Sequence, residues 1–174
     1  RVLPKLRNVF PNLLYFIVGN GSYRETLEKQ TDELNLRDCV RFLGPSSDPL
    51  PYYAAADLFV HPSNIRGKWV ETFGISILEA GACGLPAIAS RESGAREIID
   101  HGKTGLLIDE ESETELSQAI TSLLQDPSLR DKMGKAAREK VVSELTWDRC
   151  LDDLENAFRN SISAAQKSSR VQAV

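Results

Sequence analysis

Short apolar runs alternate with longer amphipathic ones over the chain up to about residue 110. The run LLYFIVG (13–19) predicts a buried strand, closed by the turn cluster Gly19-Asn20-Gly21. SYRETLEKQTDEL follows, and Ser22 with Glu25 three positions on has the form of a capping box that opens a helix. CVRFLG (39–44), DLFVHPS (57–63), PAIAS (86–90) and GLLID (105–109) predict four more strands. Between them, PSSDPLPYYAAA predicts a loop and a short helix, SILEAGACG a helix, and GAREIIDHG a short helix. Strands alternating with helices predict an α/β fold, a Rossmann-like parallel sheet with helices on both faces. Strands of such a sheet are apolar on both sides, as these are.

Beyond residue 110 the period becomes wholly helical. Leu116, Ala119, Ile120, Leu123 and Leu124 recur at helical spacing, and Ser112 with Glu115 caps the start. Asp126-Pro127 ends that helix, and Ser128 is expected to cap the next. Thr146 caps a third, with Leu151, Leu154, Phe158 and Ile162 on one stripe. The apolar stripes after residue 112 are expected to be core packing. The polar ending AAQKSSRVQAV is expected to fray. The division expected is one domain over residues 1–163 and a polar tail over 164–174, with no internal repeat and no linker.

Composition narrows the class. The chain has 174 residues, 41% hydrophobic and 26% charged, which suits one globular domain with a real core. Net charge is −4 with no long run of one sign, which argues against a nucleic-acid surface. Cys39, Cys83 and Cys150 are too scattered for a metal site or a disulfide framework, so a reducing compartment is expected. No apolar run reaches membrane-spanning length, and no signal peptide opens the chain. The start, RVLPKLRNVFPN, has no Met and opens within a helical pattern, so a piece of a longer protein is expected.

In open parallel sheets, ligands bind beyond the carboxyl ends of the strands. Three stretches there carry unusual residues: Gly19-Asn20-Gly21, Gly44-Pro45-Ser46, and the segment from His61 to Gly74. The last leads into the helix of ISILEAGACG. Gly74 lets the backbone approach a ligand closely. The free amides expected at the helix start, from Ile75 to Ile77, then favour a phosphate. Glu71 lies just before the helix, placed to meet hydroxyls of a neutral group. Glu79 lies one turn inside it, where a carboxylate can accept two hydrogen bonds from a vicinal diol, as in dinucleotide sites. A phosphate between two hydroxyl-binding carboxylates suits a sugar nucleotide.

ETFGISILEAGACGLPAIAS resembles the E-x7-E motif of GT-B glycosyltransferases, family 4 above all. YFIVGNGSYRETLE, VRFLG, AADLFVHPS and EIIDHGKTGLLID also look like that family, in its order, over roughly residues 5–160. The resemblance implies the donor-binding, C-terminal half of a GT-B fold, with the first strand unit missing. The strand order then breaks between LLYFIVG and DLFVHPS. It implies transfer of a hexose from a nucleotide diphosphate sugar, with retention of anomeric configuration and no cofactor or metal. Glu71 would bind the donor hexose as the catalytic-site carboxylate, and Glu79 the ribose. Phe73 and Gly74 would line the sugar pocket, the amides of Ile75 and Ser76 would hold the diphosphate, and Pro45 would sit against the base. The partners implied are the donor, an acceptor that is a glycan, a lipid or a small molecule, and a missing N-terminal domain. The implied setting is cytoplasmic, peripheral to a membrane if the acceptor is a lipid.

The chain departs from the family at Thr72, where the motif usually has Gly, and at the absent unit that brings a Gly-containing loop and a Lys or Arg. The isolated chain is therefore expected to be inactive. His61 is read as structural, His101 as a turn residue, Arg66 and Lys68 as a solvated loop, and Glu97 as capping or loop support. Trp147 is read as an anchor on a final helix that reaches back toward the missing domain. Two alternatives stay open: a nucleotide-binding remnant without catalysis, and a GT-B sugar-nucleotide epimerase, against which the E-x7-E spacing argues. A dehydrogenase fits least, because Arg24 stands where G-x-G-x-x-G needs its third glycine.

Overall fold

The computed structural model describes residues 1–63 and 71–171. Elements follow the order α1 (Leu3–Val9), β1 (Tyr15–Val18), α2 (Arg24–Glu33), β2 (Val40–Gly44), α3 (Leu50–Ala55), β3 (Phe59–His61), α4 (Ile75–Ala82) and β4 (Ala87–Ser90). They continue with α5 (Ala95–Ile98), β5 (Gly105–Ile108), α6 (Glu113–Gln125), α7 (Pro127–Glu144) and α8 (Trp147–Val171). Every strand expected from the apolar runs is present, each trimmed at one or both ends. Expected positions Arg66 and Lys68 lie outside the described residues. The tail from 164 onward lies outside the residues whose side chains are described, while the helical backbone of α8 continues to Val171.

All strand pairs are parallel. β1 pairs with β2, Tyr15 opposite Val40, and β4 stands between β3 and β5. Among the described residues these are two separate sheets, with order β1–β2 and β3–β4–β5. The break thus falls between LLYFIVG and DLFVHPS. The strands are not equally buried. All four residues of β4, paired on both sides, are buried, whereas β1 and β3, each paired on one side among the described residues, are mostly half-buried. β5 is also paired on one side, but α6 packs on it and three of its four residues are buried.

Alternation along β4 sorts the core into two layers. Ile88 faces Leu6, Ile108, Ile120, Leu123 and Met133, from α1, β5, α6 and α7. Ala87 and Ala89 face Ile77, Ala95, Ile98, Ile99 and Leu107 on the α4–α5 side. Helices therefore cover both faces of this sheet, as the α/β pattern predicts. Helix α1 joins the two sheets: Leu6 enters the β4 core, while Leu3 packs against Leu36, Cys39 and Val40 beside β1 and β2. Arg7 strengthens the second contact by donating to the Asn35 carbonyl (2.6 Å) and to Asp38 Oδ1 (3.0 Å).

The caps correct two expectations. Ser112 Oγ accepts the Glu115 amide (3.3 Å), and Thr146 Oγ1 accepts the Arg149 amide (3.3 Å), as expected. Ser22, however, caps nothing: α2 begins one residue later, after Tyr23, through a turn in which the Arg24 amide bonds the Gly21 carbonyl (3.1 Å). Ser128 is not the cap of α7 either. Asp126 ends α6 and caps α7, its Oδ1 accepting the Leu129 amide (2.9 Å). Pro127 fixes this choice, since proline suits the first helical position and needs its cap just before it.

A third correction concerns α8. Its apolar stripe is not core packing here: Trp147, Leu151, Leu154, Phe158 and Ile162 are all exposed, Trp147 at 82%. The α6 stripe does pack, with Leu123 at 0%. The two stripes have similar sequence periodicity, and what separates them is that α6 lies against β4 and β5 while nothing described covers α8.

Candidate functional site

β3 ends at His61, and α4 begins at Ile75. Between them Gly74 takes a left-handed conformation, φ 95° and ψ 62°, and starts the helix. A side chain there would be strained, and its Cβ would lie 2.8 Å from Ile77 Cδ1. The Gly74 carbonyl accepts the amides of Ile77 (2.9 Å) and Leu78 (3.2 Å). This corrects the expected span of free amides, because Ile77 is already taken. Ile75 and Ser76 have no backbone partner among the described residues, so theirs are the two amides open at this helix start. Ile75 is 68% exposed and Phe73 40%, two apolar side chains left facing outward beside those amides.

Glu71 is held from three sides. Its carbonyl accepts the Gly94 amide (2.8 Å), and its Oε1 accepts the Phe73 amide (3.4 Å). Its Oε2 lies 3.3 Å from His61 Nε2. That contact is close enough for an ion pair but is not aligned as a hydrogen bond. Nε2 is buried and has no hydrogen-bond partner among the described residues. The His61 ring stacks on Phe59, centroids 6.1 Å apart and planes 19° apart. His61, expected to be structural, is set by the fold against the Glu71 carboxylate. Thr72 is exposed, and its carbonyl rests on Gly94, where a Cβ would come within 2.0 Å.

Glu79 lies on α4, half-buried, one turn in from the helix start. Its Oε2 accepts a hydrogen bond from Tyr53 Oη at 3.0 Å. Tyr53, in α3, is only 9% exposed. Burial, then the bond to Glu79 and its charge, push the Tyr53 phenol well above the ordinary tyrosine range. Sequence reading had no place for Tyr53. Its only signal was a tyrosine at the second of two positions in PYYAAA, just upstream of the strand that carries His61.

Glu71, Phe73, Gly74, Ile75, Ser76 and Glu79 are thus one cluster. Pro45 is not part of it: it is exposed at the end of β2, on the other sheet. Its neighbour Gly44 (φ 76°) accepts the Gly19 amide at 2.7 Å, closing the β1 and β2 ends together. From Pro45 the chain runs directly into α3 and so to Tyr53. Glu97 is exposed in the first turn of α5, 3.7 Å from Arg96. His101 locks a turn, its Nδ1 accepting the Leu107 amide at 3.0 Å. Among the described residues, no three His, Cys, Asp or Glu side chains converge to hold a metal. None of the described helices is long and apolar enough to cross a membrane.

Comparison with known proteins places these features in a family. Residues 1–140 match the model of the glycosyl transferases group 1. The chain is 38% identical over 166 residues to a GDP-mannose-dependent alpha-(1-6)-phosphatidylinositol monomannoside mannosyltransferase of Mycobacterium tuberculosis, covering 93% of this chain and 43% of that protein. It is 32% identical over 154 residues to a D-inositol 3-phosphate glycosyltransferase of Corynebacterium jeikeium, covering 87% of this chain and 35% of the relative. The chain therefore spans less than half the length of these relatives. Among solved structures, sucrose-phosphate synthase of Thermosynechococcus elongatus is similar with a TM-score of 0.77 and 31% identity, over 94% of this chain and 42% of that one. HepE of Anabaena, in complex with UDP, is similar with a TM-score of 0.77 and 26% identity, over 94% of this chain and 44% of that one. The order of motifs, the parallel sheet and the match over most of the chain agree: this chain is a member of the glycosyl transferases group 1 and is built on the fold of GT-B glycosyltransferases.

Proposed function

We propose that this chain is the donor-binding part of a retaining hexosyltransferase that uses a nucleotide diphosphate sugar. The observation that carries the reading is the helix start at Gly74: two open amides flanked by two carboxylates, with an apolar rim. The amides of Ile75 and Ser76 bind the diphosphate, helped by the positive end of α4. Glu79 accepts hydrogen bonds from the ribose diol. Glu71 accepts hydrogen bonds from hydroxyls of the hexose, and Phe73 and Gly74 shape the space around it. Pro45 sits against the base.

This arrangement performs its chemistry by placement. Charge builds on the diphosphate as the bond to the anomeric carbon breaks, and amides fixed in advance stabilise it without reorganising. Glu71 holds the hexose in the orientation from which the acceptor attacks. A protein nucleophile is not required. The similarity of HepE, a UDP complex, and of a GDP-mannose-dependent relative supports a nucleotide-sugar donor. Since the chain spans under half of its relatives, the acceptor site belongs to a further domain. The isolated 174-residue chain is then inactive. The parent enzyme works in the cytoplasm, associating with a membrane surface if its acceptor is a lipid.

The test is a panel of UDP-, GDP- and ADP-hexoses on the full-length enzyme. Glu71→Ala and Glu79→Ala are each expected to lower kcat/KM by about tenfold to a hundredfold, the effect of losing hydrogen bonds to a charged group. Wild-type turnover by both variants would overturn the site assignment.

A further inference from the structure

We propose that Tyr53 is a positioning residue that sets ribose recognition by fixing the Glu79 carboxylate; this rests on the reading of Glu79 as the ribose-binding group. A glutamate side chain has several rotamers open to it even when half-buried, and a bidentate grip on a diol needs one of them. Tyr53 supplies the constraint. Its Oη donates to Glu79 Oε2 at 3.0 Å, while the alternative acceptor, the Ser76 carbonyl, lies farther away at 3.4 Å.

The phenol is itself held firmly. Tyr53 packs with Ala80 and Leu85 in a small core, and its ring meets Phe59 edge to face, centroids 5.7 Å apart and planes at 71°. An edge-to-face pair fixes the ring plane as well as its position. The hydroxyl is therefore delivered from a rigid base onto a carboxylate at the surface. The raised phenol keeps its proton throughout the working pH range, so it remains a donor. One bond to Oε2 leaves Oε1, and the second lone pair of Oε2, for the two hydroxyls of the diol. Tyr53 thus limits the search of Glu79 without occupying its binding capacity. It also belongs to α3, which continues directly from the Pro45 loop, so base contact and ribose contact share one short segment.

The experiment compares the natural donor with its 2′,3′-dideoxyribose analogue on the full-length enzyme. Wild type is expected to prefer the natural donor through KM. Tyr53→Phe keeps the ring and removes only the hydroxyl. It is expected to raise KM for the natural donor by up to about tenfold, because the freed Glu79 must be re-oriented on binding at a cost bounded by the hydrogen bond it lost, with kcat within about twofold and KM for the dideoxy donor unchanged. On a Glu79→Ala background the same substitution is expected to change neither KM. Thermal melting of Tyr53→Phe checks that the fold is kept. An unchanged preference in a folded Tyr53→Phe, with preference lost in Glu79→Ala, overturns the positioning role and leaves the ribose role standing. So does an equal KM rise in both backgrounds. A preference that survives Glu79→Ala overturns the ribose role itself, and this inference with it.

Discussion

Gly94→Ala is the substitution that most directly tests how the site loop is held. Gly94 has φ −61°, a conformation alanine adopts freely, so backbone strain is not the issue. Space is. A Cβ at this position would lie 2.0 Å from the Thr72 carbonyl oxygen and 2.6 Å from the Phe73 nitrogen. Both are backbone atoms of the segment that carries Glu71, so no side-chain rotation relieves the contact. The segment must move away by more than an ångström, and the Gly94 amide then loses the Glu71 carbonyl it holds at 2.8 Å. Overpacking of this kind costs about 1–3 kcal/mol and the hydrogen bond about 1 kcal/mol more. Calorimetric melting should therefore fall by roughly 5–15 °C for a chain of this size. If the loop yields in place of the core, Glu71 is displaced, and a misplacement of about 1 Å costs on the order of a hundredfold in turnover. Gly21→Ala, with open space around its Cβ, is the stability control and should melt like the parent protein. A Gly94→Ala chain that melts like the parent, together with a full-length Gly94→Ala enzyme that keeps the parent kcat/KM, would refute the packing argument.

Further outcomes follow from burial, capping and titration. Leu123→Ala, at a fully buried position between α6 and β4, should cost about 2–5 kcal/mol in denaturant unfolding. Ser112→Ala removes the cap on the Glu115 amide and should cost about 1 kcal/mol in the same assay. The Tyr53 phenol is raised in the fold above its ordinary value of 10.0, so the unfolded chain gives up this proton first as pH rises. The stability linked to Tyr53 is thus present in full below about pH 10 and is lost as pH climbs through the raised value. Tyr53→Phe should flatten the alkaline part of the stability curve. Some slope should persist, because burial also raises Tyr15.

Features set by neighbours in sequence were legible before the fold was known. The five strands announce themselves as apolar runs, and Gly74 marks the loop-to-helix turn because only a left-handed residue fits there. The errors came where two local rules compete. Ser128 is a good cap by type, but Pro127 moves the helix start two residues earlier. Ser22 has the capping-box spacing, yet the turn from Gly21 closes before it can be used. The contacts that refine the site were not legible, since they join residues far apart in the chain. Tyr53 and Glu79 are 26 positions apart, and neither position shows the other until α3 is folded beneath α4. His61 likewise gains its meaning only when β3 ends beside Glu71. The α8 stripe shows the reverse limit: periodicity reveals an apolar face but not what covers it.

Helix α1 carries one more consequence. Among the described residues the two sheets share no ladder, and a seven-residue helix with Leu3 in one core and Leu6 in the other helps to fasten them. The parts assigned to the base and to the diphosphate lie on opposite sides of that joint. A donor spanning from Pro45 to Ile75 would therefore act as a strut between two plates that this short helix helps to keep in register. Its binding energy would go partly into stiffening the angle between them, and loosening the helix at Leu6 would be felt by a ligand that never touches it.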